Sequence, residues 1–518
     1  MKICLTGPPG VGKSTVSHAC STQFDLDSTD LDDEIEAYAQ KSIPEIIGQE
    51  GEKAFRNYES KVLKTIPSET NIISLGGGSL TNAQTRNAAR KRGLVFGLSA
   101  ETQTIRKRLN QSDIERPLLR PDENGQDQLE PLLEARKESY AAVDFIFDAE
   151  DDTKDIAKRI IEKAEDTWIV HAHVGQKESR VIVGRDLAQA VRGALLNLEP
   201  TRTVVVVSDA GVPQKNRDAI LEPIRAITEV HEIVGGGGEA VKSWDFLGKA
   251  LNEAIQAGAG RQSVVIGLGG GATCDLAGLL AALLGRGAGL IMVPSTVVSQ
   301  VDASVGGKTA VNMAHGRNLV GSFYPASDVI VDIELLESLD EAEYKSGLAE
   351  VLKMGIIRDP ELFDSVVRDP KLTPKLIAKA IAHKAQIVAE DPFEKGQRKL
   401  LNLGHTLAHA LESASNFQLR HGDAVAIGTA AIARLCADRN WLEENQKRKI
   451  IKGLSCSGLP IYAPQELIQT CAQYVGQDKK SDRKYVDLII VRKLGETEVM
   501  RVELENIVND LVRFGGIE

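Results

Sequence analysis

Apolar and polar positions along the chain divide it into two alternating α/β regions and a mostly helical third. Ile3 to Thr6 reads as a short buried strand that runs straight into a glycine-rich turn. A second apolar strand, in NIISLGGGSL, closes on Gly76, Gly77 and Gly78. From Asp151 to Asp166, DDTKDIAKRIIEKAED combines helical apolar spacing with high charge and predicts the last helix of the first region. TWIVHAHVGQKESRVIVG then turns β-rich, which places a boundary near Thr167; His171 and His173 alternate along this stretch and read as structural. Strands and helices alternate again through TVVVVSD, Thr203 to Asp209, and through SVVIGLGGGATCDLAG, a strand, a glycine turn and a helix. From Glu334 the pattern is mostly helical, and YVDLIIVRKLGETEVMRVE predicts a small β element before a final helix. The expected organisation is α/β over 1–166, α/β over 167–335 and mostly α-helical over 336–518.

Composition narrows the function classes. A chain of 518 residues has room for about three or four domains. With 42% hydrophobic and 26% charged residues it reads as a soluble globular protein. A net charge of −11 supplies no phosphate-neutralising excess, and 4% aromatics supply little stacking surface, so nucleic acid is not an expected partner. The six cysteines are scattered with no CxxC, which suits reduced thiols in the cytoplasm. No signal peptide is expected, because the chain opens directly on a strand and a glycine loop. No run of about 18 apolar residues is present, so no membrane span is expected.

The glycine turn at the start carries the first chemistry. GPPGVGKST, Gly7 to Thr15, matches GxxxxGK[ST] between a strand and a helix. Backbone N–H groups around Gly10, Val11 and Gly12 would cradle phosphate oxygens, with Lys13 reaching the β/γ-phosphates and Ser14, beside Thr15, ligating Mg²⁺. Asp30 and Asp32 lie two apart after a short break, and alternate residues at a strand end face the same way, so both carboxylates are expected in one cleft. Arg56 follows on a helix, Gly77 in the triple-glycine turn, Arg116 in DIERPLLRP and Arg136 in LLEARKESY. A lone arginine usually reads as part of a solvated helix face; here several accompany a phosphate loop.

Together these pieces resemble shikimate kinase over nearly all of residues 1 to about 165. The resemblance implies a P-loop kinase domain, a parallel sheet with helices on both faces, that uses ATP and Mg²⁺. It further implies that Asp32, Arg56, Gly77 and Arg136 hold shikimate, the arginines clamping its carboxylate. Arg116 would be the lid arginine over ATP, Lys13 and Asp32 would act at the transferring phosphoryl group, and Asp30 would stand on the magnesium side. Either Arg106 or Arg108 of TIRKRL would touch adenine. The lid is expected at Asn110 to Gln126, a polar, proline-containing segment.

The second half has its own polar neighbourhoods. VGGGGEAVKSWD brings Glu239 and Lys242, and the turn at Gly269 to Gly271 would admit a pyrophosphate to a helix N-terminus, with Asp275 just beyond. VPSTVVSQVDASVGGKTAVN and HGRNLVGSFYP add Ser295, Thr296, Asp302, Lys308, Arg317 and Asn318 amid glycine, which suggests a ligand cleft. GLAEVLKMG places Glu350 and Lys353 on one face of an apolar helix. RKLLNLGHTLAHALESASNFQLRHGD carries His405 and His409 at i and i+4, and His421 beyond a polar break. One carboxylate and two imidazoles are enough for a catalytic metal with an open position, although HxxxH without the glutamate of HExxH is a weak signal on its own.

These stretches resemble 3-dehydroquinate synthase, in order and to about residue 500. The resemblance implies a Rossmann-like α/β domain that binds NAD, followed by a helical metal- and substrate-binding domain. By position, Glu350, His405 and His421 would bind Zn²⁺ or another divalent metal such as Co²⁺. Lys353, Lys384, Arg398, Asn402 and His409 would line the substrate with Asp302, Lys308 and Asn318, and Lys480 (or its neighbour Lys479) would complete the phosphate clamp. NAD would lie against Glu239, Lys242, Gly270, Gly271, Ala272, Asp275, Ser295, Thr296, Lys308, Arg317 and the segment Leu335, Leu336, Glu337 and Ser338. There are departures: GGGATCD stands where the family usually has GGGVVGD, Ser295 stands for a threonine, and Arg317 stands for a lysine, exchanging a point ammonium for a planar fork.

The implied function is twofold and belongs to chorismate and aromatic amino acid biosynthesis. One half would phosphorylate shikimate to shikimate 3-phosphate. The other would convert 3-deoxy-D-arabino-heptulosonate 7-phosphate to 3-dehydroquinate and phosphate, with NAD recycled. The family resemblance suggests a homodimer through the synthase half. A plain metal-dependent polyol dehydrogenase would instead accumulate NADH and leave the Lys/Arg/Asn cluster unexplained. Another sugar-phosphate cyclase would differ in substrate, and a catalytically dead module is opposed by the intact residue sets.

Overall fold

A computed structural model describes residues 1–111, 117–119, 127–198, 203–475 and 485–516. Arg116, Lys479, Lys480 and most of the expected lid lie outside the described residues. The chain forms two compact units, one of Met1–Ile169 with Asp186–Arg202 and Asp218–Thr228, the other of Val170–Arg185, Thr203–Arg217 and Glu229–Glu518. No helix among the described residues is long and apolar enough to cross a membrane. None of the six cysteines forms a disulfide.

The first unit is built on five parallel strands, β1 (Ile3–Thr6), β2 (Ser28–Asp30), β3 (Ile72–Ser74), β4 (Leu94–Ser99) and β5 (Phe145–Asp148), in the order β2-β3-β1-β4-β5. The central strand, ICLT, is buried throughout, which is why it reads as a continuous apolar run and not an alternating one. β1 delivers the chain to the glycine turn, and the helix Lys13–Phe24 starts directly after Gly12, whose φ of 108° lies in the left-handed region. The charged segment expected to be helical is the helix Thr153–Glu165. Asp152 caps it by accepting from the Lys154 amide at 2.9 Å, and Ile156, Ala157, Ile160 and Ile161 form its buried face. This unit also gathers the helix Ala188–Asn197. Asn197 donates to the carbonyl of Ala142 at 3.1 Å, and a Cβ on Gly193 would lie 2.0 Å from the carbonyl oxygen of Val143.

The second unit holds a seven-stranded sheet of β6 (Trp168–Val174), β7 (Lys177–Gly184), β8 (Val204–Asp209), β9 (Val230–Gly235), β10 (Val264–Gly269), β11 (Gly289–Pro294) and β14 (Asp328–Asp332). Its order is β6-β7-β14-β11-β10-β8-β9, and the strands from β7 to β9 run parallel. An antiparallel hairpin, β12 (Lys308–Met313) and β13 (Gly316–Phe323), leaves the main sheet and carries Lys308, Arg317 and Asn318. The helical part includes Glu341–Arg358, Pro374–Glu390, His405–Ala414 and His421–Asp438, and ends in the hairpin β15 (Tyr485–Lys493) and β16 (Glu496–Glu503) and the helix Glu505–Gly515. Every residue of the helix Glu341–Arg358 from Ser346 to Ile357 is buried, so the helix carries Glu350 and Lys353 into the interior. The helix His421–Asp438 crosses it closely. A Cβ on Gly422 would lie 1.8 Å from the carbonyl oxygen of Ser346.

Candidate active sites

In the first unit the phosphate loop is shaped by local contacts. Lys13 Nζ donates to the carbonyls of Gly7 and Pro8, both at 3.0 Å, and so lies over the loop that also holds Gly10, Val11 and Gly12. Ser14 and Thr15 occupy the first helical turn, and Ser14 Oγ donates to Asp30 Oδ2 at 2.8 Å. Arg108 donates to the carbonyls of Val11 at 2.8 Å and Ala149 at 2.9 Å, against the loop. Arg106 instead pairs with Asp127 at 2.5 Å and Glu130 at 3.0 Å on an exposed face.

The two aspartates converge, but not as a strand end. β2 stops at Asp30, whose side chain accepts from the Asp32 amide at 3.0 Å and caps the helix Leu31–Ala39. Asp32 therefore sits in the first helical turn, and the expected two-residue alternation along a strand is a cap geometry instead. Burial pushes the Asp32 carboxyl up to about 7, reinforced by Asp30 and Glu59 and opposed by Lys13 and Arg56. Its Oδ1 is buried without a hydrogen bond. Gly76 makes room here, since a Cβ on it would lie 3.0 Å from both Asp32 Oδ1 and Glu59 Oε1.

Arg56 and Arg136 face each other across the triple-glycine turn. Arg56 donates to Glu59 Oε2 and to Glu52 Oε1, each at 2.8 Å. Arg136 donates to the Gly77 carbonyl at 3.3 Å and to Glu52 Oε1 at 3.4 Å. Tyr140 donates to the same Gly77 carbonyl at 2.8 Å. Sequence reasoning did not single out Glu52, Glu59 or Tyr140, although the helical offsets of Glu52 (i−4) and Glu59 (i+3) from Arg56 were there to find.

In the second unit Glu350, His405 and His421 converge, with one potential ligand atom from each lying within 4.8 Å of the others. His421 Nε2 is 3.4 Å and His405 Nε2 is 3.9 Å from Glu350 Oε1, an oxygen buried without a hydrogen bond. Each imidazole is oriented through its other nitrogen: His405 Nδ1 lies 3.1 Å from the Leu403 carbonyl, and His421 Nδ1 lies 3.4 Å from Glu412 Oε1. Glu350 Oε2 pairs with Lys353. Burial opposes ionisation of Glu350, yet Lys353 and the two histidines hold it well below the usual carboxylate range. Burial and Lys353 hold His405 well below the usual imidazole range.

Around this cluster the polar groups are interlinked. Lys384 Nζ donates to Asp302 Oδ1 at 2.7 Å, on a wide π-type turn at Ser299–Ala303. Burial disfavours the Asp302 anion, but Lys384 outweighs it and lowers the pKa. Arg398 donates to the carbonyls of Gly306 at 2.9 Å and Pro392 at 2.6 Å. Glu394 pairs with Lys308 and accepts from Asn402 Nδ2 at 2.8 Å. His409 is exposed, its ring 5.3 Å from that of His405. Glu394 and Glu412 went unassigned from sequence: Glu394 lies in an irregular turn with φ of 58°, and Glu412, though three residues beyond His409, resembles any helical acid.

The same unit carries a glycine-rich strand-to-helix edge. Gly270 precedes the helix Gly271–Leu283, which carries Ala272 and Asp275, and a Cβ on Gly269 would lie 2.7 Å from Asp209 Cβ. Lys242 pairs with Asp275 in a buried setting. Ser295 follows β11, its amide bonded to the Gly269 carbonyl at 2.9 Å, and Thr296 Oγ1 bonds Ser299 Oγ at 2.9 Å. Leu335 and Leu336 are buried in the turn Ile333–Ser338, whereas Glu337 and Ser338 are exposed. Arg317 pairs with Glu239 and, at 3.3 Å, with Glu412; its planar fork thus reaches two carboxylates. Asn318 adopts φ of 56°, and its amide donates to Asn312 Oδ1 at 3.2 Å.

Three family models match the chain: shikimate kinase over residues 9–165, 3-dehydroquinate synthase N-terminal over 232–346 and 3-dehydroquinate synthase C-terminal over 347–481. The bifunctional shikimate kinase/3-dehydroquinate synthase of Thermotoga maritima is 30% identical over 513 residues, covering 97% of this chain and 98% of that one. The 3-dehydroquinate synthase of Methylococcus capsulatus is 36% identical over 337 residues, covering 63% of this chain and 93% of that one. In fold, the second region is similar to 2-deoxy-scyllo-inosose synthase, solved with carbaglucose-6-phosphate, NAD+ and Co²⁺. The TM-score is 0.61 at 24% identity, over 67% of this chain and 100% of that one.

Proposed function

Because the chain belongs to the bifunctional shikimate kinase/3-dehydroquinate synthase family, with both activities in one polypeptide, we propose how its residues divide the two reactions. The kinase half converts shikimate to shikimate 3-phosphate. The synthase half converts 3-deoxy-D-arabino-heptulosonate 7-phosphate to 3-dehydroquinate and phosphate. Both serve aromatic amino acid biosynthesis.

In the kinase half, Arg56 and Arg136 grip the shikimate carboxylate, and the Gly77 backbone closes the same face. Asp32 accepts the proton of the attacking hydroxyl; its raised pKa suits that task near neutrality. Lys13 and the backbone from Gly10 to Thr15 hold the ATP phosphates, and Arg108, against Val11, takes the adenine side. Ser14 Oγ and Asp30 Oδ2, 2.8 Å apart, form a hard oxygen pair that fits Mg²⁺, which when bound neutralises phosphate charge. Arg116 completes the lid.

In the synthase half, Glu350, His405 and His421 fit a divalent metal, since a buried carboxylate oxygen with no hydrogen bond faces two ring nitrogens. This mixed N/O set suits Zn²⁺ or Co²⁺, and such an ion supplies Lewis-acid polarisation to substrate oxygens. NAD supplies reversible oxidation of the substrate alcohol with no net redox change. Glu239, Lys242, Gly270, Gly271, Ala272, Asp275, Ser295, Thr296, Arg317 and the Leu335 to Ser338 segment hold it, with Lys308 at the boundary with substrate. Lys353, Lys384, Arg398, Asn318, Asn402 and Lys480 orient the anionic substrate, and Asp302 aims Lys384 by accepting its hydrogen bond at 2.7 Å. His409, exposed with its ring 5.3 Å from that of His405, lines the substrate. A homodimer through the synthase half is part of the same reading. So is a cytoplasmic location, which fits six cysteines that form no disulfide.

The observation that carries the synthase reading is the orphaned Glu350 Oε1 beside two imidazoles that are each oriented by a second contact. The test is to assay shikimate-dependent ADP formation and phosphate release from 3-deoxy-D-arabino-heptulosonate 7-phosphate on one preparation. Lys13→Ala should abolish the first and spare the second, and His405→Ala the reverse. Loss of both in either variant, or of neither, would contradict the division.

A further inference from the structure

Glu52 occupies the place where the two clamp arginines meet. Its single oxygen Oε1 accepts from Arg56 at 2.8 Å and from Arg136 at 3.4 Å. A carboxylate caught between two guanidinium groups is the arrangement that the proposed clamp would offer a substrate carboxylate. Glu52 is not needed to build the clamp. Arg56 is held from below by Glu59, whose side chain is fully buried, and Arg136 is held by the Gly77 carbonyl. Glu52 differs from Glu59 in being 45% exposed and in standing at the start of the helix Glu52–Thr65, directly after Gly51 with φ of 85°. A half-exposed carboxylate in the first turn of a helix returns to water at little cost and stays favourably placed at the positive end of the helix dipole.

We propose that Glu52 is an internal stand-in for the substrate's carboxylate, which shikimate displaces on binding, so that this side chain sets the kinase's affinity for its acid substrate. The inference rests on the reading of Arg56 and Arg136 as the carboxylate clamp. With the substrate absent, Glu52 keeps the two positive charges paired. With the substrate present, its own carboxylate takes over the same donors, and part of that gain is spent on breaking the internal pairs. The device also discriminates, because a ligand without a negative charge has nothing to exchange for Glu52.

The test uses the full chain. Shikimate and its methyl ester are titrated calorimetrically into wild type, Glu52→Gln and Glu52→Asp, and shikimate-dependent kinetics are run in parallel. Glu52→Gln removes the charge at constant shape; Glu52→Asp keeps the charge but shortens its reach. Both should bind shikimate about three- to tenfold more tightly, the scale of a half-exposed ion pair shared by two arginines, with the change in KM and not in kcat. Neither should bind the ester more tightly. Unchanged or weaker shikimate binding in both variants would overturn the proposal, as would an equal gain for the ester. Arg56→Ala separates the premise: if it binds shikimate as wild type does, the clamp reading itself fails and takes the proposal with it.

Discussion

The Glu412 carboxylate lies 3.4 Å from Nδ1 of His421, buried at 4% exposure, while the opposite ring nitrogen points at Glu350. A carboxylate behind an imidazole fixes the ring's orientation and raises its basicity as a ligand. Glu412→Gln should therefore weaken Zn²⁺ or Co²⁺ binding by about 10- to 100-fold in a calorimetric titration, without abolishing it. Binding equal to wild type would show that His421 needs no such support.

Asp32 has opposite consequences for activity and stability. Its carboxyl is pushed up to about 7, against an ordinary value near 4 in the unfolded chain. The folded state thus binds this proton more tightly, so the contribution to stability is full below the unfolded value and is lost as pH rises through about 7. Above neutrality, Asp32→Asn should raise stability, on the order of 2–4 kcal/mol before relaxation, in chemical denaturation of the kinase unit. The wild-type kinase rate should fall as pH drops below the same value, because a protonated carboxyl accepts nothing. An acid limb that persists unshifted in a residual Asp32→Asn activity would assign it to another group.

Gly78 borders the arginine clamp. A Cβ there would lie 2.3 Å from one terminal nitrogen of Arg56 and 2.9 Å from one of Arg136. Gly78→Ala should displace both guanidinium groups and cost the kinase about 100-fold in kcat/KM for shikimate, since a shift of about 1 Å in a positioning group has that effect. Phosphate release by the synthase half should not change. A kinase within a few-fold of wild type would mean the clamp absorbs the methyl group.

Part of the geometry of both candidate sites was legible because helical spacing places side chains on one face. His405 and His409 fall on one helix as their i, i+4 offset requires, and Glu350 and Lys353 share a face at i, i+3. The strand, glycine turn and helix around Lys13 were equally plain. Asp32 was misplaced because the strand ends at Asp30, which also caps the next helix; only the Asp32 amide bonded to the Asp30 side chain marks the change of element. Glu52, Glu59, Glu394 and Glu412 escaped for a related reason. In a chain with 73 acidic residues, an acid that orients an arginine, a lysine or a histidine carries no local mark of its direction. The close crossing at Gly422 was also hidden, because it depends on where Ser346 lies in space.

That crossing sets the spacing between Glu350 and His421. With a Cβ only 1.8 Å from the Ser346 carbonyl oxygen, Gly422→Ala must push the two helices apart. Overpacking of this kind costs about 1–3 kcal/mol, which should appear as a lowered midpoint in denaturant together with weaker metal binding. Normal stability with normal metal affinity would show that the two helices are not held in this register.

The central claim is that one chain carries a kinase and a metal- and NAD-assisted synthase. Its most direct measurement is phosphate release from 3-deoxy-D-arabino-heptulosonate 7-phosphate by the whole chain with NAD, with and without a chelator, while NADH absorbance is followed. The account predicts phosphate release that the chelator stops, that added Zn²⁺ or Co²⁺ restores, and that leaves no NADH behind. Steady NADH build-up without phosphate would contradict it and point to a dehydrogenase, and phosphate release indifferent to the chelator would contradict the metal assignment at Glu350, His405 and His421.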